Sequence, residues 1–585
     1  MGQYWIYGAY DCLSKHYIVN NKVINRTIII FILAIIPPSL GMFSFYRYED
    51  FYHMAYMKIH LPDFSWQSFQ NIPNLRLYEY YRPVLTFFYW LGYLLSHNNP
   101  TILHALASLS FGVMTVLIYV IARFFSGDLS GVLAAVIFAT FGPLVAVSWW
   151  TGTFAVLPGF ILFLTGIIFF LYLERHVNLY TTIALFLFAS SFFNKESFII
   201  LSPILLLFCL FSPKFRTRHH FIVALGVIPF ALAKVYISNV IMGATVNSHV
   251  HFNVLEVDPL VIWTNLYSYW QLLVYGHNYW FVLLALLSIS PKIFQDERKT
   301  WMFIPLVCAV VFTLRVLHQT WAIDLILMVL SVIYLWYCTF YERIWAAWIV
   351  LGLSQLVFWD ISIIGGIMNR LIIEPSVGFA LFIGMGLSRQ INFIRSLGFS
   401  LKQPLQWLHD SRHALLKSVT CLSIISGCII GIGEEVFVLG GRQLQRDMIM
   451  WYNQGAVLED IIDYIVEEVP SDATLIISEP PLEGMQVTDQ LGDALFMLAR
   501  PDISISYDDT ASHMKPHTYI HPHTPLRQAL KRMTEGQPVF LISTNPLDIK
   551  RVEDEHAVHY RLSFQSVHDQ FDGYIYELKP LSQAP

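Results

Sequence analysis

Charge is what this sequence has least of: Asp, Glu, Lys and Arg make up 13% of its 585 residues, against roughly 25% in soluble domains. A chain so poor in charge and 56% hydrophobic is solvated mostly by lipid. Cysteine is scarce as well, with six residues, and none follows Cys428. Neither a disulfide framework nor a thiolate metal site is indicated. There is no long basic run, and a net charge of −5 gives nucleic acid no electrostatic footing. No glycine-rich phosphate loop is found, and no 34-residue period that would mark a helical repeat array.

Long apolar runs are what is present. A membrane span needs about 20 apolar residues, and aromatics, here 16% of the chain, collect at the two membrane interfaces. Runs at Thr27–Tyr46, Pro100–Ala122, Leu129–Trp149, Thr153–Leu173, Tyr180–Phe193, Ser197–Leu210 and Phe221–Ile241 are followed by six more between Tyr279 and Leu439. The reading is a polytopic α-helical membrane protein of about 13 spans. About 26 polar residues precede the first run with no small-residue cleavage site after it, as in a retained signal-anchor. With residues 1–26 inside, Lys and Arg favour the cytoplasmic loops by more than two to one, which fixes orientation by the positive-inside rule. The 47–99 loop and residues 441–585 then lie outside the cytoplasm.

The last 145 residues change character. Helical patterns at Arg442–Gln454 and Val457–Glu468 precede short β-type runs at Thr474–Ser478, Ile503–Tyr507, Pro538–Ser543, Val558–Phe564 and Gly573–Leu578, and helical patterns at Thr488–Leu498 and Pro525–Met533 separate the first three. This alternation predicts a small C-terminal α/β soluble domain. His513, His517, His521 and His523 have ligand-like spacing, but Pro516 and Pro522 interrupt them and no cysteine lies nearby. A polar loop is the reading, with no metal site assigned.

Ionisable residues at span ends are the functional candidates, since each costs roughly 2.5–3.5 kcal/mol if carried to the centre of a membrane helix. Four places qualify: Glu49 and Asp50 beyond the first span, Arg82 in YYRPVLTFFYW, Lys195 and Glu196 in FFNKESF, and Arg370 in MNRLIIEPSVGF. All fall on the outer side, so one shared cavity is expected. The bland readings are solvated interface acids for the first place, a loop ion pair for Lys195–Glu196, and lipid-headgroup contacts for the two arginines.

The order of these elements resembles the GT-C superfamily of membrane glycosyltransferases. Within it, the branch of transmembrane, tetratricopeptide-repeat O-mannosyltransferases and their bacterial relatives is most similar. An acid pair after the first span is matched by Glu49 and Asp50, and a Tyr-Arg-Pro element with a following His by Tyr81, Arg82, Pro83 and His104. A Lys-Glu element is matched by Lys195 and Glu196, and an Arg-(x)4-Pro-Ser-x-Gly-Phe element by Arg370, Pro375, Ser376, Gly378 and Phe379. The likeness covers residues 27–440. It departs at Gly142-Pro143, where His-Pro is usual, in Glu-Asp for the commoner Asp-Asp, and in the missing repeats.

The resemblance implies transfer of a sugar from a polyprenyl phosphate to a hydroxyl on a protein, lipid or glycan acceptor; no cofactor is assigned, and dependence on a divalent metal is left open. Physical chemistry supplies the roles. An inverting displacement needs one carboxylate to deprotonate the hydroxyl. The phosphate departs as a stable anion, so the acid of a glycosidase pair is not required, but cations must stabilise its growing charge. Adjacent acids diverge by about 100° on a helix, so one faces the reaction; Asp50 is the expected base and Glu49 orients. Lys195, then Arg370 and Arg82, are the expected phosphate contacts, with Glu196 holding Lys195. A transporter and a non-catalytic scaffold remain the alternatives. The expected setting is a bacterial inner membrane with residues 441–585 in the periplasm.

Overall fold

The computed structural model describes residues 21–39, 50–75, 81–96, 99–141, 153–173, 177–241, 259–276, 279–294, 297–354, 373–396, 419–427, 429, 456, 457, 459–477, 502–507, 528, 531–533, 535–543, 558–568 and 571–580. Glu49, Arg370, Gly142-Pro143 and the four-histidine tract lie outside these, as does the side chain of Asp50.

Helices α1 (Asn21–Ser39), α2 (Asp50–His60), α3 (Trp66–Asn71), α4 (Pro83–Ser96), α5 (Pro100–Ser126), α6 (Asp128–Thr140), α7 (Thr153–Leu171) and α8 (Val177–Asn194) come first. They are followed by α9 (Ser197–Leu201), α10 (Pro203–Phe211), α11 (Arg218–Tyr236), α12 (Pro259–Gly276), α13 (Tyr279–Leu287), α14 (Ser290–Phe294), α15 (Glu297–Val316), α16 (Thr320–Tyr337), α17 (Phe340–Ser354) and α18 (Ile373–Ser396). Among the described residues α5, α7, α11 and α16 are long and apolar enough to cross a membrane. Their neighbours are shorter apolar helices packed side to side. The chain is an integral membrane protein.

Two departures from the sequence reading have local causes. The run Ser197–Leu210 is two helices, because Pro203 lacks the N–H that would continue the ladder and sits at the first position of α10 instead. Helix α12 was not expected as an apolar element, since Thr264, Asn265, Ser268 and Gln271 dilute its hydropathy.

The bundle core is aromatic. Phe160, Phe163, Phe198, Phe208, Trp345 and Trp348 are buried in one cluster and meet largely edge to face, the arrangement ring quadrupoles favour. In lipid, close approach of backbones replaces hydrophobic exclusion as the packing force. Gly352 of α17 shows it: a Cβ there would stand 2.9 Å from the nitrogen of Pro375 on α18.

The C-terminal strands are β1 (Thr474–Ile477), β2 (Ser504–Tyr507), β3 (Val539–Ser543), β4 (Val558–His568) and β5 (Phe571–Pro580). They form one sheet of order β2-β1-β3-β5-β4, with β1 parallel to β2 and β3, and β5 antiparallel to β3 and β4. Alternate residues of a strand face opposite ways, and the burial follows. Leu475, Phe540, Ile542 and Ile575 enter one cluster, Ile476, Val539, Leu541 and Tyr576 another. The first cluster also contains Ile461 and Ile465 from the helical residues 459–468, and Met54, Met57, Leu85 and Tyr89 of α2 and α4. The sheet and the 47–99 loop therefore share one apolar core.

Candidate functional site

Each member of the site is placed by a local rule. Pro83 opens α4, where its fixed φ and missing N–H do no harm. Arg82 just before it is the helix's first acceptor, its carbonyl taking the Thr86 N–H at 2.8 Å. Lys195 and Glu196 occupy the turn between α8 and α9. That turn is anchored by Asn194, whose Nδ2 donates to the Ala155 carbonyl at 3.0 Å, and Gly159 of α7 lacks the Cβ that would collide with the Asn194 amide. Glu374 lies in the first turn of α18, where a helix N-terminus favours an anion. Its carbonyl accepts the Trp348 indole N–H at 2.8 Å.

These residues meet in two groups that touch through the adjacent pair 195–196. Arg82 grips Glu196 from Nε at 2.8 Å and Nη2 at 2.6 Å. Lys234, in the last turn of α11, pairs with the other Glu196 oxygen at 3.0 Å and donates to the carbonyl of Tyr81. The Tyr81 ring centroid lies 5.3 Å from its ammonium, within cation–π range. Lys195 turns the other way and pairs with Glu374 at 2.6 Å. The expectation that Glu196 holds Lys195 is therefore corrected. Neighbours in sequence point apart, and each takes its partner from a helix far along the chain.

The two groups differ in make-up. Among the described residues Lys195 meets Glu374 alone, whereas Arg82 and Lys234 share Glu196. Lys234 is 1% exposed and Glu196 41%, so the lysine is sealed behind a carboxylate that reaches solvent. Partial burial pushes the Glu196 carboxyl up, but the charges of Arg82 and Lys234 outweigh it and hold it at about 2. That depression has a consequence for stability. The favourable ionisation is fully present above the ordinary value of 4.5 and is lost as pH falls from there toward 2. The stability gap between the parent and Glu196→Gln, followed by thermal unfolding, is expected to be constant above about pH 5.5 and to narrow below 4.5. A gap independent of pH would refute it.

His104 of α5 is fully buried and stands on the helix that packs against α4, α6 and α7. Asp50 opens α2, and α2 packs on α4, the helix that begins after Arg82. Sequence reasoning missed Lys234 and Glu374. Both could have been found, since Lys234 stands inside an apolar run and Glu374 follows Arg370 by four residues. A second buried ion pair, Arg389 with Glu342, lies at the expected cytoplasmic ends of α18 and α17. Among the described residues no group of three His, Cys, Asp or Glu could hold a metal.

No family model and no curated protein matches the chain. Solved structures similar to it include ArnT from Cupriavidus metallidurans bound to undecaprenyl phosphate, at 12% identity over 96% of this chain and 98% of that one, with a TM-score of 0.47. The same protein in its apo state gives 12%, 97% and 100%, with a TM-score of 0.46. The archaeal oligosaccharyltransferase AglB from Archaeoglobus fulgidus, in complex with an inhibitory peptide and a dolichol-phosphate, gives 11% over 82% of this chain and 64% of that one, with a TM-score of 0.37. The similarity assigns no residue a role.

Proposed function

We propose that the chain transfers a sugar from a polyprenyl-phosphate donor to a hydroxyl acceptor on the outer, periplasmic or luminal, side of the membrane, with inversion. The observation that carries this reading is the clustering of cations. Arg82 and Lys234 share Glu196, and Lys195 beside it pairs with Glu374, at helix ends on the side that the positive-inside rule puts outside. Guanidinium and ammonium groups gathered at a membrane edge are suited to an anion that arrives from the lipid.

In this reading the donor phosphate binds beside Arg82 and Lys195, where guanidinium and ammonium stabilise the charge that grows as the glycosidic bond breaks. Asp50 takes the proton of the acceptor hydroxyl on the opposite face of the sugar, and Glu49 orients that hydroxyl. Arg370 is a further phosphate contact, from the segment that precedes α18. His104 belongs to the wall beneath α4.

Lys195→Ala is expected to weaken binding of a polyprenyl-phosphate sugar and its transfer together, about 10- to 100-fold, as loss of one charge-assisted contact does. Lys195→Arg should keep part of both. Equilibrium binding and transfer assays on the detergent-solubilised chain decide it. A variant that binds donor as tightly as the parent makes the lysine structural and leaves the phosphate contact to Arg370 and Arg82, and a parent that binds no polyprenyl phosphate ends the reading.

A further inference from the structure

Glu374 is an unusual carboxylate for its surroundings. It is 1% exposed, one oxygen pairs with the Lys195 ammonium at 2.6 Å, and the other is buried with no hydrogen-bond partner among the described residues. The contrast with Glu342 is informative, because that buried carboxylate is fully used. Glu342 accepts from Tyr334 at 2.8 Å and from the Thr339 backbone and hydroxyl at 2.6 and 2.8 Å, and it also pairs with Arg389. A carboxylate kept for structure is satisfied on both oxygens. Glu374 is satisfied on one, and its partner Lys195 has a side chain that is 20% exposed, so the lysine side chain is partly open to a ligand while the carboxylate behind it is sealed.

We propose that Glu374 is the internal competitor for the lipid phosphate on Lys195 and that its return to the ammonium expels the polyprenyl phosphate after transfer. The proposal rests on the donor reading above and concerns the step that follows the chemistry. A polyprenyl-phosphate sugar is a phosphodiester with one negative charge. Transfer breaks the bond from the anomeric carbon to the phosphate oxygen, and the leaving polyprenyl phosphate is a monoester whose charge at neutral pH is nearer two. The cations that stabilise departure therefore hold the product more tightly than the substrate, which slows turnover. A fixed carboxylate within reach of the same ammonium offsets that difference. Its position is rigid, because the Trp348 indole holds the Glu374 backbone and Pro375 is seated on Gly352. Movement of the lysine side chain alone exchanges one anion for the other. Glu374 is thus a positioning residue for release, and it touches neither sugar nor acceptor.

The test is product inhibition of the detergent-solubilised full chain by a short-chain polyprenyl phosphate. In Glu374→Gln the inhibition constant is expected to fall about 10-fold and kcat to fall with it, while KM for the singly charged donor changes by less. In the Glu374→Gln/Lys195→Ala double variant the tightening should vanish, since the competition acts through that ammonium. Equilibrium binding of the same polyprenyl phosphate to Glu374→Asp, whose carboxylate is drawn back by one methylene, serves if the glutamine variant does not fold; tightening of about threefold is expected. An inhibition constant that is unchanged or raised in Glu374→Gln, or a tightening that survives without Lys195, overturns the proposal. A parent that polyprenyl phosphate does not inhibit removes the donor reading itself, whereas inhibition of the parent with no change in Glu374→Gln removes only the role of Glu374.

Discussion

Asp50→Asn is expected to lower the rate of sugar transfer by about 10²- to 10⁴-fold, the range over which a positioned general base contributes, with donor binding close to that of the parent. The substitution preserves shape and removes only the ability to accept a proton. Asp50 opens α2, whose Met54 and Met57 are buried against α4 in the cluster shared with the C-terminal sheet, so the backbone that carries it is tied to the helix that follows Arg82. Glu49→Gln should cost less, because an orienting carboxylate is replaced by a group that still accepts hydrogen bonds. Single-turnover transfer with saturating donor separates the two. An Asp50→Asn enzyme that turns over at the parental rate would eliminate the residue as base.

The second large effect is expected at Lys234, which touches no ligand. Lys234→Met keeps the stem and removes the charge, so one of the two cations that share Glu196 is lost. Loss of one preorganised electrostatic stabiliser lowers kcat by about 10²- to 10³-fold. Stability should fall as well, by on the order of 1–3 kcal/mol, since the Tyr81 carbonyl and one Glu196 oxygen lose a buried donor. A readout that stability alone would not move comes from charge arithmetic. In Lys234→Met/Glu196→Gln the loss of the carboxylate offsets the loss of the ammonium, the net charge of the group returns to that of the parent, and part of the activity should return. A double variant as inactive as Lys234→Met would make the lysine structural and would leave the phosphate to Lys195. Thermal unfolding of both variants beside the transfer assay tells these outcomes apart.

The physical logic that joins these predictions is that a charge at the edge of a bilayer is costly unless paired, so each pair constrains what the next residue can do. Glu196 cannot serve Lys195, because Arg82 and Lys234 already occupy both its oxygens. Lys195 therefore depends on a carboxylate 179 residues away, and that dependence makes its affinity for a second anion adjustable.

A good deal was legible in the sequence because the signals are local. Low charge and long apolar runs mark a membrane bundle without any knowledge of its packing. Period-two alternation near Leu475, Val539 and Ile575 marks strands, and the five appear within a few residues of their expected positions. Arg82-Pro83 and Lys195-Glu196 stand out because a short apolar context makes any charge conspicuous. What the sequence could not decide is who pairs with whom. Coulomb partners are chosen by distance in space, and the choice between Glu196 and Glu374 for Lys195 is made by the direction in which the turn after α8 points its two side chains. Asn194 against Gly159 and Pro375 against Gly352 fix that direction through helix contacts with no local signature. Lys234 joins the site only because α11 lies against α8. The residue types came from the sequence; which carboxylate each cation meets was decided by tertiary packing alone.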